Sequence, residues 1–240
     1  YDKSKICFAV TWIIAYCVLM SLGDAVSAYI GIEKLVTLII AFVLFAILLL
    51  FFKNNQLFLE FGLCAPKTTP KSMLFYLPII VMLSANLWYG VTLNYNLLET
   101  ILYIITMFLV GFLEELIFRG FLFESIRKDN LKTAVIISSV TVGIGHIINL
   151  INGSGAELIP NLLQVVYATS AGFMFVMMYL KSKSLIVCIT SHGIFNALSA
   201  FSNEAYVTNE MQILSALLLT VITSSYALYL ALSTRNKQYK

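Results

Sequence analysis

The chain has 240 residues, of which 60% are hydrophobic and only 11% are charged, and its mean hydropathy is +0.91. An ordinary soluble domain carries about 25% charged residues, so this composition excludes that class. The formal net charge is only +3, and the basic residues form no stripe that could bind nucleic acid. The composition therefore predicts an integral membrane protein that contacts the lipid bilayer.

Eight apolar runs are long enough to cross a bilayer, which takes about 20 residues of helix. Short polar connectors separate them, and no internal repeat or soluble domain interrupts the series. The first run has no small-residue cleavage site, so we expect a retained helix and not a signal peptide. We predict an all-α, polytopic membrane helix bundle with eight transmembrane helices, in a single integral-membrane domain over residues 1–240. The runs cover residues 6–22, 35–52, 73–93, 97–118, 133–150, 162–180, 184–202 and 211–233.

The lysines and arginines predict how these helices are oriented. Thirteen of the 15 fall at the termini or in alternate connectors, whereas Lys34 lies in an opposite connector and Arg119 lies within a span. Connectors that are rich in lysine and arginine stay in the cytoplasm. We therefore predict a multi-pass protein of the cell membrane with both termini cytoplasmic. The segments expected outside the cell are 24–33, 94–99, 152–157 and 203–210.

Ionisable and amide side chains inside the spans mark a candidate site. Both histidines of the chain, His146 and His192, lie in spans, as do Glu114 and Asn196. A charge near the bilayer centre costs roughly 2.5–3.5 kcal/mol on insertion scales, so such residues usually serve a function. Counted from the basic connectors, Glu114, His146 and Asn196 are each about 20 Å deep, and His192 is about 14 Å deep. These similar depths predict that the four side chains share one site within the membrane.

The fourth run also contains Glu115 and Arg119, which are four residues apart and can form an ion pair on one helical face. Glu114 projects about 100° away and has no such partner on its own helix. The two glutamates are therefore interpreted as one structural and one chemical residue. A simpler reading remains open, because intramembrane His and Asn often only hydrogen-bond neighbouring helices. Gly143 and Gly145 are expected to allow close helix approach near His146.

Three short motifs resemble those of the CPBP family, the CAAX proteases and bacteriocin-processing (Abi-type) proteins. The family pattern is EExxxR, then FxxxH, then HxxxN on successive membrane helices. The chain has EELIFR at Glu114–Arg119, VGIGH at Val142–His146 and HGIFN at His192–Asn196. The likeness covers about residues 97–200, and Val142 stands where the family usually has phenylalanine.

The resemblance implies intramembrane proteolysis by a metal-independent glutamic endopeptidase that needs no cofactor. Glu114 and His146 would hold and activate a water that attacks the scissile carbonyl. His192 and Asn196 would donate hydrogen bonds to the oxyanion that develops. The substrate would be a membrane-associated peptide or protein. In bacterial members the resemblance implies processing of peptide pheromones or bacteriocins, or immunity to them. In the eukaryotic branch it implies that the substrates are prenylated CAAX proteins.

The same resemblance assigns Glu115 and Arg119 a supporting role, in which they hold the fourth helix and orient Glu114. Two other functions remain open from the residues alone. One is a non-catalytic membrane scaffold or regulatory partner. The other is a zinc-dependent membrane protease, in which Glu114, His146 and His192 would supply three ligands, although the sequence has no HExxH motif. The short sequence Gly153-Ser154-Gly155 is interpreted as a turn and not as a serine nucleophile site.

Overall fold

The computed structural model describes residues 4–150, 157–203, 205 and 207–238, with side chains as far as residue 234. Within this part of the chain, regular structure is helical apart from one isolated bridge between Val91 and Ser202. Seven helices are long and apolar enough to cross a membrane, and a shorter apolar helix accompanies them. The predicted all-α polytopic bundle is confirmed. The count of eight spans and the cytoplasmic location of both termini stay predictions.

The helices follow the predicted apolar runs in chain order. Helices α1 and α4 continue about two turns past the predicted ends, because a helical backbone extends beyond the purely apolar stretch into more polar sequence. The predicted turn at residues 152–155 lies outside the described residues. The bounds are α1 Lys5–Ile30, α2 Leu35–Asn55, α3 Pro70–Leu87, α4 Leu97–Arg127, α5 Leu131–Leu150, α6 Leu158–Ser182, α7 Leu185–Phe201 and α8 Asn209–Gln238.

Polar residues at the connectors explain where several helices begin. Asn96 caps α4 by accepting a hydrogen bond from the Glu99 backbone N–H at 2.9 Å, and Asn130 caps α5 in the same way. Such caps satisfy backbone donors that the first turn leaves unpaired. Helix α1 ends at Gly31, whose φ of 78° suits glycine because it has no Cβ. Local sequence therefore sets these helix ends.

Helix α4 departs from α geometry at the candidate site. It is an α-helix as far as Glu115 and then a π-helix over Leu116–Phe123, and all eight π-helical residues are buried. Ser138 of α5 donates a hydrogen bond of 2.9 Å to the Phe118 carbonyl in this segment. Short π-helical segments are rare and often lie at functional sites. The sequence pattern alone predicts a continuous α-helix here.

Glycine allows two pairs of helices to approach closely. A Cβ added at Gly111 of α4 would lie 2.7 Å from the Gly193 backbone nitrogen of α7. A Cβ at Gly143 of α5 would lie 2.8 Å from the Val165 carbonyl oxygen of α6, as the sequence predicts. The same prediction for Gly145 is wrong, because a Cβ there would meet nothing within 4 Å. Helices α4 and α7, which carry most of the candidate residues, are thus held in backbone contact.

Hydrogen bonds between connectors sort them into two ends of the bundle. The Thr92 N–H donates to the Phe201 carbonyl at 3.0 Å, and the Leu185 N–H donates to the Gly62 carbonyl at 2.7 Å at the opposite end. Connector 56–69 therefore lies at the start of α7 and connector 88–96 at its end, so α3 and α7 run in the same direction. The names outer end and inner end follow the predicted orientation. The outer end contains connectors 31–34, 88–96 and 202–203, and the inner end contains connectors 56–69, 128–130 and 183–184.

Candidate active site

Glu114 is held by a tyrosine from a distant part of the chain. The Tyr16 hydroxyl in α1 donates a hydrogen bond of 2.7 Å to Glu114 Oε1. Glu114 Oε2 lies 3.7 Å from His192 Nε2, which is close but longer than a hydrogen bond. The Glu114 side chain is 16% exposed, whereas Glu115 beside it is fully buried. The two adjacent carboxylates thus occupy different environments, and of the two only the Glu114 side chain is partly exposed.

Glu115 is the centre of a buried polar network. Arg119 Nη1 donates to Glu115 Oε1 at 3.0 Å, so the predicted ion pair is present. The same oxygen bonds His192 Nδ1 at 2.8 Å. Because a carboxylate oxygen accepts, His192 carries its proton on Nδ1 in this contact. Glu115 therefore orients the histidine of α7 as well as pairing with Arg119, a link that sequence reasoning missed.

The ring of Phe175 in α6 completes this network from the other side. It stacks on the His192 imidazole with ring centroids 5.5 Å apart, and the Arg119 guanidinium carbon lies 5.5 Å from the Phe175 centroid. Arg119 Nη2 also donates to the Gly172 carbonyl at 3.4 Å. The pair with Glu115 is thus a single hydrogen bond and not a bidentate one. Helices α4, α6 and α7 are joined through one arginine and one histidine.

His146 is positioned by its own helix and by α6. It ends the α-helical part of α5, and its Nδ1 lies 2.9 Å from the Val142 carbonyl oxygen. Because a carbonyl only accepts, Nδ1 carries the proton, which leaves Nε2 of a neutral ring as an acceptor. Asn161 Nδ2 donates to the His146 carbonyl at 2.8 Å. The imidazole is therefore held with a defined tautomer.

Two adjoining cavities bring the predicted residues together. Glu114, His146 and Asn196 line a cavity of about 470 Å³ inside the bundle, together with Tyr16. His146 and Asn196 also line a smaller cavity of about 70 Å³, where they meet His192 and Arg119. Glu115 lies behind these walls, fully buried. The structure thus places five of the six predicted residues on connected cavity surface and the sixth directly behind it.

The arrangement contains acid, base and hydrogen-bond donors, but no grouped metal ligands. Among the residues that the structure describes, no three or more His, Cys, Asp or Glu side chains lie close enough together to hold a metal ion. His192 and Arg119 are already bonded to Glu115, as described above. Glu114, His146 and His192 therefore do not form a ready-made three-ligand set in this structure.

Tyr16 is the residue that sequence reasoning missed at the site itself. It is 98 positions from Glu114 in the chain and belongs to none of the three motifs. A tyrosine in an apolar helix is common in this sequence, which has 13 tyrosines, so composition provides no signal for it. Phe175 and Asn161 were missed for the same reason, because their roles depend on contacts between helices.

Comparison with known proteins gives one family. Residues 96–198 match the model of the type II CAAX prenyl endopeptidase Rce1-like family. No curated protein matches the chain. The matched segment runs from the N-cap of α4 to the end of the α-helical part of α7 and contains all three motifs. The match agrees with the CPBP resemblance of the three motifs, and together with the seven apolar helices it supports a multi-pass membrane protein of the intramembrane CAAX protease type.

Proposed function

We propose that the chain is a metal-independent glutamic endopeptidase that hydrolyses a membrane-associated peptide or protein within the bilayer. The observation that carries the proposal is the cavity shared by Glu114, His146 and Asn196 inside the bundle. A carboxylate, an imidazole and an amide at one enclosed surface are the groups that peptide hydrolysis by activated water requires.

In the proposed reaction, Glu114 is the general base. Tyr16 bonds its Oε1, so Oε2 is the oxygen available to take a proton from water. His146 Nε2, left as an acceptor by the Nδ1 contact to Val142, helps to hold that water. The water oxygen bonds the scissile carbonyl carbon, its proton passes to Glu114, and the carbonyl becomes an oxyanion. Glu114 then returns the proton to the leaving amine as the C–N bond breaks.

His192 and Asn196 are proposed to stabilise the oxyanion. Glu115 fixes the His192 ring by accepting from Nδ1, and in the doubly protonated ring Nε2, which lies 3.7 Å from Glu114 Oε2, also carries a proton and can donate. Asn196 lies one helical turn further along α7 and lines both cavities. Preorganised donors of this kind are worth most in a site that excludes water. Glu115 and Arg119 act as positioning residues, because they hold α4 and the His192 ring without lining the cavity of about 470 Å³, which is called the main cavity below.

The proposed substrate class is a peptide or protein segment that reaches the membrane. Processing of bacterial peptide pheromones or bacteriocins, or immunity to them, is the proposed role in the cell membrane. The compact helical chain, with short connectors between its spans, supports a substrate that is itself embedded in or bound to the bilayer. Prenylated CAAX proteins are the alternative that the family name suggests.

Four substitutions test the proposal. Glu114→Gln keeps the side-chain volume but removes the base, and His146→Ala removes its partner at the water, so each is expected to abolish cleavage. His192→Ala and Asn196→Ala are each expected to slow turnover by about 10²–10³, the range for loss of one oxyanion donor. Cleaved membrane peptides from cells with parent or variant protein are compared by mass spectrometry. Each variant is also checked for abundance and for a monodisperse profile in detergent.

The outcomes separate the three functions considered. A folded Glu114→Gln protein that still supports the full biological effect of the parent contradicts the peptidase and favours a scaffold. Activity that disappears after chelator treatment and returns with added zinc contradicts metal independence. Cleavage that survives chelation but not the Glu114→Gln change is the result that we expect.

A further inference from the structure

The main cavity extends toward only one end of the bundle. In α1 its lining begins at Tyr16 and ends at Asp24, near the outer connector 31–34, and in α2 it includes Thr37 in the first turn. In α5 it runs from Val142 to Asn149, which is again the outer part of the helix. Among the described residues, connectors 56–69, 128–130 and 183–184 of the inner end contribute nothing to its wall.

Packed aromatic residues close the inner side of the site. Beyond Glu114, the π-helical segment Leu116–Phe123 is buried at every position. Phe121 from this segment packs on Phe8 of α1 with ring centroids 5.0 Å apart, and on Phe61 with centroids 5.7 Å apart. Phe52 of α2 lies against both Phe61 and Phe121. An aromatic plug therefore lies between Glu114 and the inner end of the bundle, and it is formed by Phe8, Phe52 and Phe121 of the helices together with Phe61 of connector 56–69.

The outer rim of the cavity is acidic. Asp24 and Lys34 line the cavity and form an ion pair at 2.8 Å, and Asp24 is 37% exposed. Glu33 is 35% exposed, and its backbone N–H bonds the Glu99 carboxylate at 3.0 Å. Glu157 lines the adjoining cavity at the same end. Asp24 and Glu33 thus pair with the one ammonium group, Glu99 lies beside Glu33 and Glu157 lines the adjoining cavity, so acidic groups outnumber basic ones at this end. This excess of negative charge favours a positively charged ligand.

The basic connectors identify the side of the membrane to which this rim belongs. Thirteen of 15 lysines and arginines lie at the termini, in the inner connectors or in the helix ends that adjoin these connectors. Positively charged connectors remain in the cytoplasm, so the inner end is cytoplasmic and the rim faces outward. We propose that the cavity is loaded from the outer face of the membrane and selects a peptide segment that carries positive charge. The substrate assignment rests on the proposed peptidase function, whereas the direction of access does not.

Single cysteines test the direction of access in the full chain. Cys7, Cys17 and Cys64 are replaced by alanine, and the buried Cys188 is retained. Ser21→Cys, a change of one atom on the cavity wall, is the reporter. Leu93→Cys in an outer connector and Asp129→Cys in an inner connector are the reference positions. Each variant is treated with membrane-impermeant methanethiosulfonate reagents in right-side-out and in inverted vesicles, and unreacted thiols are then counted by a gel-shift maleimide.

Ser21→Cys is expected to react in right-side-out vesicles together with Leu93→Cys, and not in inverted vesicles, where Asp129→Cys reacts. Reaction of Ser21→Cys from the Asp129→Cys side only, or from neither side, overturns the proposal. Detergent-solubilised, monodisperse protein is labelled in parallel to show that the thiol is present and the protein folded.

The charge preference is read from two reagents of opposite sign. The rate ratio of the trimethylammonium reagent to the sulfonate reagent at Ser21→Cys is divided by the same ratio for a free thiol in solution. We expect a normalised ratio of about tenfold that falls with added salt, and Glu33→Gln is expected to reduce it. A normalised ratio of one or less overturns the choice of a cationic peptide.

These measurements do not depend on catalysis, because they can be repeated in the Glu114→Gln background. Outward labelling of a protein whose Glu114→Gln variant remains fully functional would sustain the access route and refute the peptidase. Inward labelling together with loss of cleavage in Glu114→Gln would do the reverse.

Discussion

The Glu115–Arg119 pair allows a quantitative test of the buried network behind the site. Both side chains are 0% exposed, and Arg119 Nη1 lies 3.0 Å from Glu115 Oε1. Removing one partner of a buried ion pair leaves an uncompensated charge in a low-dielectric interior and costs about 3–5 kcal/mol. Glu115→Gln and Arg119→Met are each expected to lower the free energy of unfolding by an amount in this range.

The contacts of each residue predict which change is more damaging. In Arg119→Met, the Glu115 carboxylate keeps its 2.8 Å bond to His192 Nδ1, which partly compensates its charge. In Glu115→Gln, the guanidinium keeps its 3.4 Å bond to the Gly172 carbonyl and its contact with the Phe175 ring, but no carboxylate among the described residues bonds it. Glu115→Gln is therefore expected near 5 kcal/mol and Arg119→Met near 3 kcal/mol, the two ends of the range.

The double variant shows whether the two effects have one cause. With both charges removed, Glu115→Gln/Arg119→Met is expected to be more stable than Glu115→Gln alone, because no uncompensated charge remains. Unfolding is measured in mixed micelles by the fluorescence of Trp12 and Trp88. Arg127→Met, at a partly exposed 3.2 Å pair with Glu124, is the control and is expected to cost at most about 1 kcal/mol. Losses in the double variant that equal the sum of the single losses would refute the reasoning.

Three further outcomes are expected. Gly111→Ala places a Cβ 2.7 Å from the Gly193 nitrogen, about 0.7 Å short of the 3.4 Å of ordinary contact, so α7 must shift and kcat/KM should fall by about 10². Gly145→Ala is the control, because its Cβ meets nothing within 4 Å. Equal activity of the two variants would contradict the packing argument. Tyr16→Phe removes one hydrogen bond to a carboxylate, so turnover should fall about 10-fold or more, whereas Tyr226→Phe, which loses a 2.7 Å bond to the Met73 carbonyl, should lower stability but leave turnover unchanged. Burial lowers the pKa of the Lys34 ammonium, but the Asp24 and Glu33 carboxylates raise this pKa by more than burial lowers it. The pKa of Lys34 in the folded protein therefore lies above the ordinary 10.5. The stabilisation by the ion pair is present below that ordinary value and is lost as pH rises through the raised pKa. Lys34→Met should therefore be less stable than the parent at neutral pH, and this difference should disappear in strong alkali. A difference in thermal midpoint that does not change with pH would argue against the ion pair.

The sequence by itself determined the helices, their limits within about two turns and the residue types of the site. In a bilayer every backbone polar group must be satisfied internally, so a long apolar run has to be helical and hydropathy alone locates it. The pairing of Glu115 with Arg119 is equally local, because four residues separate them on one helix. The resemblance of the three motifs indicated the family, and the match over residues 96–198 agrees with it.

Only the tertiary structure decided how these helices meet. Tyr16 reaches Glu114 across 98 residues of sequence, and His192 reaches Glu115 across 77. Neither contact has a local signal, because lipid is as apolar as the side chains that face it and hydropathy does not choose helix partners. The partner is chosen by shape, as at Gly111, where α4 and α7 touch backbone to backbone, and by the few polar groups that must find one another in a dry interior. The cavity, its aromatic plug and its acidic rim follow from that packing.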